Sequence, residues 1–337
     1  MRTNYPMMVV QTISGPNALQ PASRLRDGIP LISPPDLGNG IITIPGTYAA
    51  NSVQEKFSRG YIQSWNFTLE KELGWGFTGQ AGYVATREIN RMGFRELNVA
   101  YPGQGNSGRL LVRRFGRTAE TRLVAPVGNT HYDSLQTRLE RRFSNGMQLG
   151  ISYTWSKALG ICCSDNSDGL SAIQLPEYYH LNRALTNYDT PHNFHASGIW
   201  ELPFGRGKRW ASDGWASKFA GGWQLNGLFS ANSGQPFNVT SSGTSLDAPG
   251  NTQRADLVKP KVQILGGAGR GQSYFDPFAF APVSGPNSVR FGTAGFNLLR
   301  GPGLINLDLG LFRAFRVTER WKVEIRAEAF NVSNTPH

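Results

Sequence analysis

An all-β fold, an antiparallel up-and-down meander, is predicted by three observations on this 337-residue chain. Apolar and polar residues alternate at period two in eight segments, the mark of a strand with two unlike faces. The segments come as four pairs, each closed by a link that is short beside the connections between pairs. Strands of about ten residues with dyad alternation, short turns at one end and long loops at the other describe an outer-membrane type of transmembrane β-barrel. The expected object is a stretch of staves from a large barrel, open and incomplete in this chain.

The first pair sets Tyr61, Trp65, Phe67 and Leu69 against Ser64, Asn66, Thr68 and Glu70. It turns at Gly74-Trp75-Gly76 into Phe77, Ala81, Tyr83 and Ala85, which alternate with Thr78, Gln80 and Thr86. The second pair, from Tyr132 to Trp155, is the clearest. Met147, Leu149, Ile151, Tyr153 and Trp155 lie on one face, with Gln148, Gly150, Ser152, Thr154 and Ser156 on the other. Its Ser144-Asn145-Gly146 link suits a tight hairpin. The third pair joins Phe194, Ala196, Trp200 and Leu202 through a basic, glycine-broken link to Trp223, Leu225, Gly227 and Phe229. In the fourth, Ile305, Leu307, Leu309 and Leu311 precede Val317-Thr318-Glu319; then Trp321, Val323, Ile325, Ala327 and Ala329 alternate with Lys322, Glu324, Arg326 and Glu328. Ile62, Phe312 and Arg313 fall on the wrong face of their strands.

The reading is a single barrel domain over 1–337 with hairpins near 59–87, 131–157, 192–231 and 304–331, and no plug domain. Long extracellular loops are expected at 1–57, 88–130, 158–191 and 232–303. Trp75, Trp200, Trp223 and Trp321 fall near the short-turn end, and Tyr153 and Trp155 near the other, as two interface belts require. The hairpins start at uneven intervals, unlike propeller blades. A soluble β-sandwich alternates equally well and remains the alternative, as an adhesion or carbohydrate-binding protein. A small passive outer-membrane pore is a third reading.

No apolar run reaches the roughly eighteen residues of a membrane helix. A mean hydropathy of -0.34 does not exclude a membrane barrel, because every second residue faces a polar lumen. The start, Met1 to Val10, lacks the pattern of an export signal, so the chain is expected to lack its true beginning. The net charge of +11 gathers at Arg109, Arg113, Arg114, Arg117 and Arg122, at Arg138, Arg141 and Arg142, and at Arg206, Lys208 and Arg209. None of these lies on a groove-reading helix, so lipid phosphate or lipopolysaccharide is the expected polyanion and nucleic acid is not.

Catalysis needs a nucleophile, base and orienting acid on one rim. His131, His180, His192, His195, Asp133 and Asp189 cluster toward the long-loop end, but no spacing selects a set and no G-x-S-x-G elbow occurs. No catalytic, cofactor or metal residue is assigned. Asp165-Asn166-Ser167-Asp168-Gly169 resembles part of a calcium loop, yet its twelfth position is Pro176 rather than an acid. Gly266 to Gly271 lacks the lysine of a phosphate loop. Adjacent Cys162 and Cys163 form no disulfide framework and have no metal-spaced companions. Asn238-Val239-Thr240 and Asn331-Val332-Ser333 fit the glycosylation sequon, which carries no message in a bacterial outer membrane.

Several stretches resemble the C-terminal barrel portion of TonB-dependent receptors, specifically the Oar-like group with an N-terminal carboxypeptidase-regulatory-like domain. They are YIQSWNFTLEKEL at 61–73, YDSLQTRLERRFSNGMQLGISYTWSKAL at 132–159 and ELPFGRGKRW at 201–210. GGWQLNGLFSANSGQPFNV at 221–239, FDPFAFAPV at 275–283, LRGPGLINLDLGLFRAF at 299–315 and ERWKVEIRAEAFNVSNTPH at 319–337 follow in order. The resemblance implies a receptor of about twenty-two strands that takes up a ligand with energy relayed from the inner membrane by TonB through a plug. The chain carries no plug, energy-coupling box or regulatory-like domain, and stops after the Glu324–Phe330 strand. The resemblance therefore implies a barrel fragment whose two end strands lack neighbours.

Overall fold

The computed structural model describes residues 7–10, 23–28, 39, 45–56, 58–161, 172–267, 269–285, 288–316, 318 and 320–335. Eight long strands carry it: β1 (Tyr61–Gly74), β2 (Phe77–Glu96), β3 (Thr121–Ser144), β4 (Met147–Gly160), β5 (His192–Glu201), β6 (Trp223–Asn232), β7 (Leu304–Arg316) and β8 (Lys322–Ala329). Each pairs antiparallel with the next in sequence, a meander without crossovers. Among the described residues no ladder joins β1 to β8, so the sheet is open.

The hairpin turns follow from their residues. Trp75 and Gly76 have φ of 49° and 77°, and Asn145 and Gly146 have 51° and 75°. Two successive left-handed residues make the turn whose twist matches the flanking strands, and Asn-Gly is its preferred pair.

The long connections are where expectation and structure part. The predicted loop at 88–130 is strand at both its ends: β2 runs on to Glu96 and β3 begins at Thr121, pairing Glu96 with Arg122. The alternation there is broken by register shifts between Glu88 and Met92, which hid the extension. Only 97–120 is loop, with a 3-10 turn at Asn106–Gly108 and an α-helical turn at Val112–Phe115. Within the predicted loop 1–57, Ala49–Val53 pairs parallel to the start of β3, and Met7–Val10 pairs with it in turn. In 158–191, Ala184–Leu185 pairs with the end of β4.

Small or strand-end residues such as Ala85, Phe94, Val124 and Ala158 are buried in the sheet, but the main apolar cluster is elsewhere. It lies in the loops, where Val99, Ile173, Leu175, Leu246, Ala248 and Phe291 pack together, drawn from 97–120, 172–191 and 233–303. These connections form one cap at the long-loop end. Among the described residues no helix is long and apolar enough to cross a membrane, which says nothing of strands.

Candidate functional site

Cross-strand partners share a face, so the register sorts the side chains without ambiguity. One row runs Glu70, Gln80, Arg138, Ser152, His195, Ser230 and Asn306 across β1 to β7. The next toward the cap is Thr68, Gly82, Gln136, Thr154, Asn193 and Asn232. On the opposite face, Leu69, Ala81, Thr137, Tyr153, Phe194, Ala231 and Ile305 form one row, and Leu139, Ile151, Ala196, Phe229 and Leu307 belong to its neighbour. Among the described residues no second sheet covers the apolar rows, and Phe67, Leu69, Trp155 and Ile305 are exposed.

The polar face is hollowed. A groove of about 480 Å³ crosses β4 to β8, where Gln148, Asn226, Asp308 and Glu328 stand among apolar Leu228, Phe312 and Phe330. Nearer the cap, Tyr132, Gln136, Thr154, Ser156 and Asn193 line a pocket of about 370 Å³ closed by Tyr188, Asp189 and Thr190. The side-chain oxygens of Asn193, Asn232 and Asn306 are buried and accept no hydrogen bond from the described residues. Acceptors left open on this face suit water or a polar solute.

Two of the misfit residues have a place. Phe312 lines the groove beside Leu228 and Phe330, and the Arg326 guanidinium lies 5.1 Å from its ring. Arg313 faces outward, 5.3 Å from the Trp223 ring and 4.4 Å from Phe315, donating to the carbonyls of Lys218 and Phe219. Ile62 pairs with Glu88 on the polar face of an edge strand and is exposed.

The cap is stitched by buried and half-buried amides that replace missing sheet partners. Asn251 Oδ1 accepts from the backbone of Gln174 and Leu175 at 2.9 and 3.3 Å. Asn182 Nδ2 donates to the carbonyls of Ile173 and Tyr179, and its Oδ1 accepts from Ile173 N–H. Asn98 Nδ2 donates to the carbonyls of Arg117 and Ala119 at 2.8 Å. Asp189, its side chain 1% exposed, pairs with Arg300 and accepts from Ala158 N–H, tying the cap to β4. The Arg290 guanidinium holds the Asp256 carboxyl below the usual carboxylate range, and Lys259 does the same for Asp276.

The titratable residues singled out in the sequence are scattered among separate partners. Asp133 accepts from Arg87 and from the Tyr83 hydroxyl at 2.7 and 2.5 Å on the outward face. His192 Nδ1 meets the Tyr153 hydroxyl at 2.8 Å, and His195 Nδ1 meets Ser230 Oγ at 3.1 Å on the polar face. His180 Nδ1 lies 3.1 Å from the Glu177 carbonyl, and His131 stands opposite Arg87 in the ladder. Among the described residues no group of three or more His, Cys, Asp or Glu is placed to hold a metal. Cys162, Cys163 and the Asp165–Gly169 stretch lie outside the described residues, as does Ala268 within 266–271. Asn238 and Asn331 act as acceptors, Asn238 from the distant Asn297 N–H at 2.7 Å and Asn331 from the nearby Thr335 N–H at 3.2 Å.

Sequence reasoning missed the cap. Its signal was faint: apolar pairs such as Ile173 and Leu175 inside otherwise polar loops, with asparagines nearby.

One family description, the outer membrane beta barrel domain, matches residues 1–337. Among curated proteins nothing matches significantly. A solved structure, the outer membrane transporter YddB from Escherichia coli, is similar at 8% identity and a TM-score of 0.44. That match covers 85% of this chain and 30% of the transporter, so the chain spans under a third of its length.

Proposed function

Since the chain belongs to the outer membrane beta barrel domain family, whose place is the bacterial outer membrane, we propose that it is the barrel portion of a receptor taking up a ligand by energy coupling through TonB. The observation that carries the reading is the pairing of a hollowed polar face with a structured cap. A passive pore needs a lumen; a receptor also needs a loop surface rigid enough to select a solute. Here three loops share one core, and one of them borders the polar pocket at Thr154 and Asn193 with Tyr188, Asp189 and Thr190.

In this reading the polar rows line the lumen, the apolar rows meet lipid, and the cap is extracellular. The coupling protein reaches the barrel only through a plug, so uptake belongs to the intact receptor. Trp65, Arg87, Trp155 and Lys157 on the outward face near the cap are the proposed contact with lipopolysaccharide. The soluble sandwich is disfavoured by its exposed apolar rows.

The test is uptake in cells carrying the intact receptor, with and without TonB and with the proton gradient collapsed. Accumulation against a gradient that stops in both cases is expected. Uptake unchanged by either would leave a passive pore.

A further inference from the structure

The link between β5 and β6 is unlike the other short-end connections. The turns at Trp75-Gly76 and Asn145-Gly146 hold two residues each. This link runs from Leu202 to Gly222 and contains the helix Gly214–Ala220. Trp215 and Phe219, one helical turn apart, stack with ring centroids 5.8 Å apart and stand 77% and 67% exposed. Such a pair in water at a helix surface has no reason to be there.

The helix is not loose. Trp223 Nε1 donates to the Phe219 carbonyl at 3.1 Å, and Arg313 donates to the carbonyls of Lys218 and Phe219. Trp223 and Arg313 are opposite one another in the ladder and face outward, as do Trp200 and Leu225 one row above. The helix is therefore fastened beside the apolar rows, at their short-turn edge. The preceding segment is closed by the Trp210 N–H on the Pro203 carbonyl at 3.0 Å, and it exposes Trp210, Arg206 and Arg209. Across 203–222 the cations Arg206, Lys208, Arg209 and Lys218 face the single acid Asp213. Lys208 is taken by Glu201, which leaves Arg206, Arg209 and Lys218 without an acid among the described residues.

We propose that this link is a membrane-interface anchor: Trp215 and Phe219 enter the acyl boundary of the leaflet at the short-turn end, while Arg206, Arg209 and Lys218 meet phospholipid phosphates. Aromatic rings at the boundary with cations at headgroup depth are the arrangement of an interfacial helix. The charge fits a phosphate surface, and the site continues the lipid-facing rows without a break. The Lys218 ammonium lies 5.9 Å from the Trp215 ring centre, so ring and charge reach the same depth together. The inference rests on the membrane placement of the apolar rows and is independent of energy coupling.

The full chain, inserted into vesicles of phosphatidylcholine with phosphatidylglycerol, is labelled by a carbene reagent dissolved in the bilayer and, separately, by one dissolved in water. Trp215 and Phe219 are expected to take the bilayer label as Ile151 does, with Ser212 and Asp213 taking the aqueous one. Aqueous labelling of Trp215 and Phe219 with Ile151 still lipid-labelled overturns the anchor alone. Protection of both from both reagents assigns them to a protein contact and equally overturns it. Loss of bilayer labelling at Ile151 as well removes the membrane placement itself. The Arg209→Glu, Lys218→Glu double variant is expected to lose bilayer label at Trp215 severalfold, with Trp200 unchanged; unaltered labelling at Trp215 overturns the phosphate contact.

Discussion

The sheet and the cap of this protein are built on opposite rules. Along the strands the large apolar side chains are outside, as at Phe67, Leu69 and Trp155, and the polar ones point into a hollow. In the cap the order is that of a water-soluble domain: Ile173, Leu175 and Leu246 are fully buried, and asparagines bridge one loop to another. The difference teaches which solvent each region is made for. A strand in lipid needs only neighbours for its N–H and C=O groups, and the ladder supplies them. A loop in water has no ladder, so it holds its shape by burying apolar groups and satisfying its backbone with side chains.

The comparison breaks most sharply at the joint between the regions. Arg300→Met leaves the buried Asp189 carboxylate unpaired. Removing one partner of such a pair costs about 3–5 kcal/mol. Protease cutting within 172–191 should rise steeply while the ladders of β3 to β6 keep their hydrogen-exchange protection. If sheet and cap lose protection together, they are one cooperative unit and the division is wrong.

Inside the cap, Leu246→Ala should cost about 2–5 kcal/mol, as for other large-to-small changes in a packed interior. Exchange at Val99, Ile173 and Leu175 reports it. A change confined to residues beside Leu246 would show that these loops merely touch.

In the sheet the rule inverts. Ile151→Arg near mid-depth should cost about 2–4 kcal/mol in a bilayer, and Ser152→Arg, one residue away on the polar face, far less. Unfolding by denaturant from vesicles measures both. Equal costs at the two positions would remove the distinction between lipid and lumen.

These two regions were unequally legible in the sequence, and the reason is physical. Period-two alternation is local, so Leu149, Ile151 and Tyr153 declared a face on their own. The Asn145-Gly146 turn was equally local. The ends of β2 and β3 were lost because the shifts between Glu88 and Met92 break the period. The cap was lost for a deeper reason. Leu175 meets Leu246 and Phe291 across long separations in sequence, and no periodic pattern announces such a meeting. Likewise the Arg313 misfit became intelligible only when Lys218 and Phe219 were seen to offer it their carbonyls.

A smaller effect tests the turns that set the register. Asn145 has φ of 51°, a conformation that costs most side chains about 1–2 kcal/mol. Asn145→Ala should lower stability by about that amount, and Asn145→Gly should cost almost nothing. A shift of the Met147–Ser144 pairing, read from amide exchange at Gln148 and Leu149, would show that the turn sets the register as well.

The smallest effect is expected from acid, and it separates the regions by charge. Asp256 accepts two bonds from Arg290 at 2.8 Å and one from Thr293 N–H at 3.1 Å. Its carboxyl is held below the ordinary range, chiefly by Arg290, so the folded cap binds this proton less readily than the unfolded chain does. The stabilisation is then complete above the unfolded carboxylate value of about 3.9 and is lost as pH falls through the lower folded value. Between neutrality and about pH 5 nothing should change. Pepsin digestion checks it: cutting around 288–294 should be slow near pH 4.5 and faster near pH 2. Asp256→Asn should be cut at both, because its side chain can no longer pair as an anion with Arg290. The apolar rows of β4 carry no such pair, so their protection should be indifferent to the same change. Acid cutting that is equal in the variant and the native chain would mean that another carboxylate, with Asp276 beside Lys259 the nearest candidate, governs the cap's response.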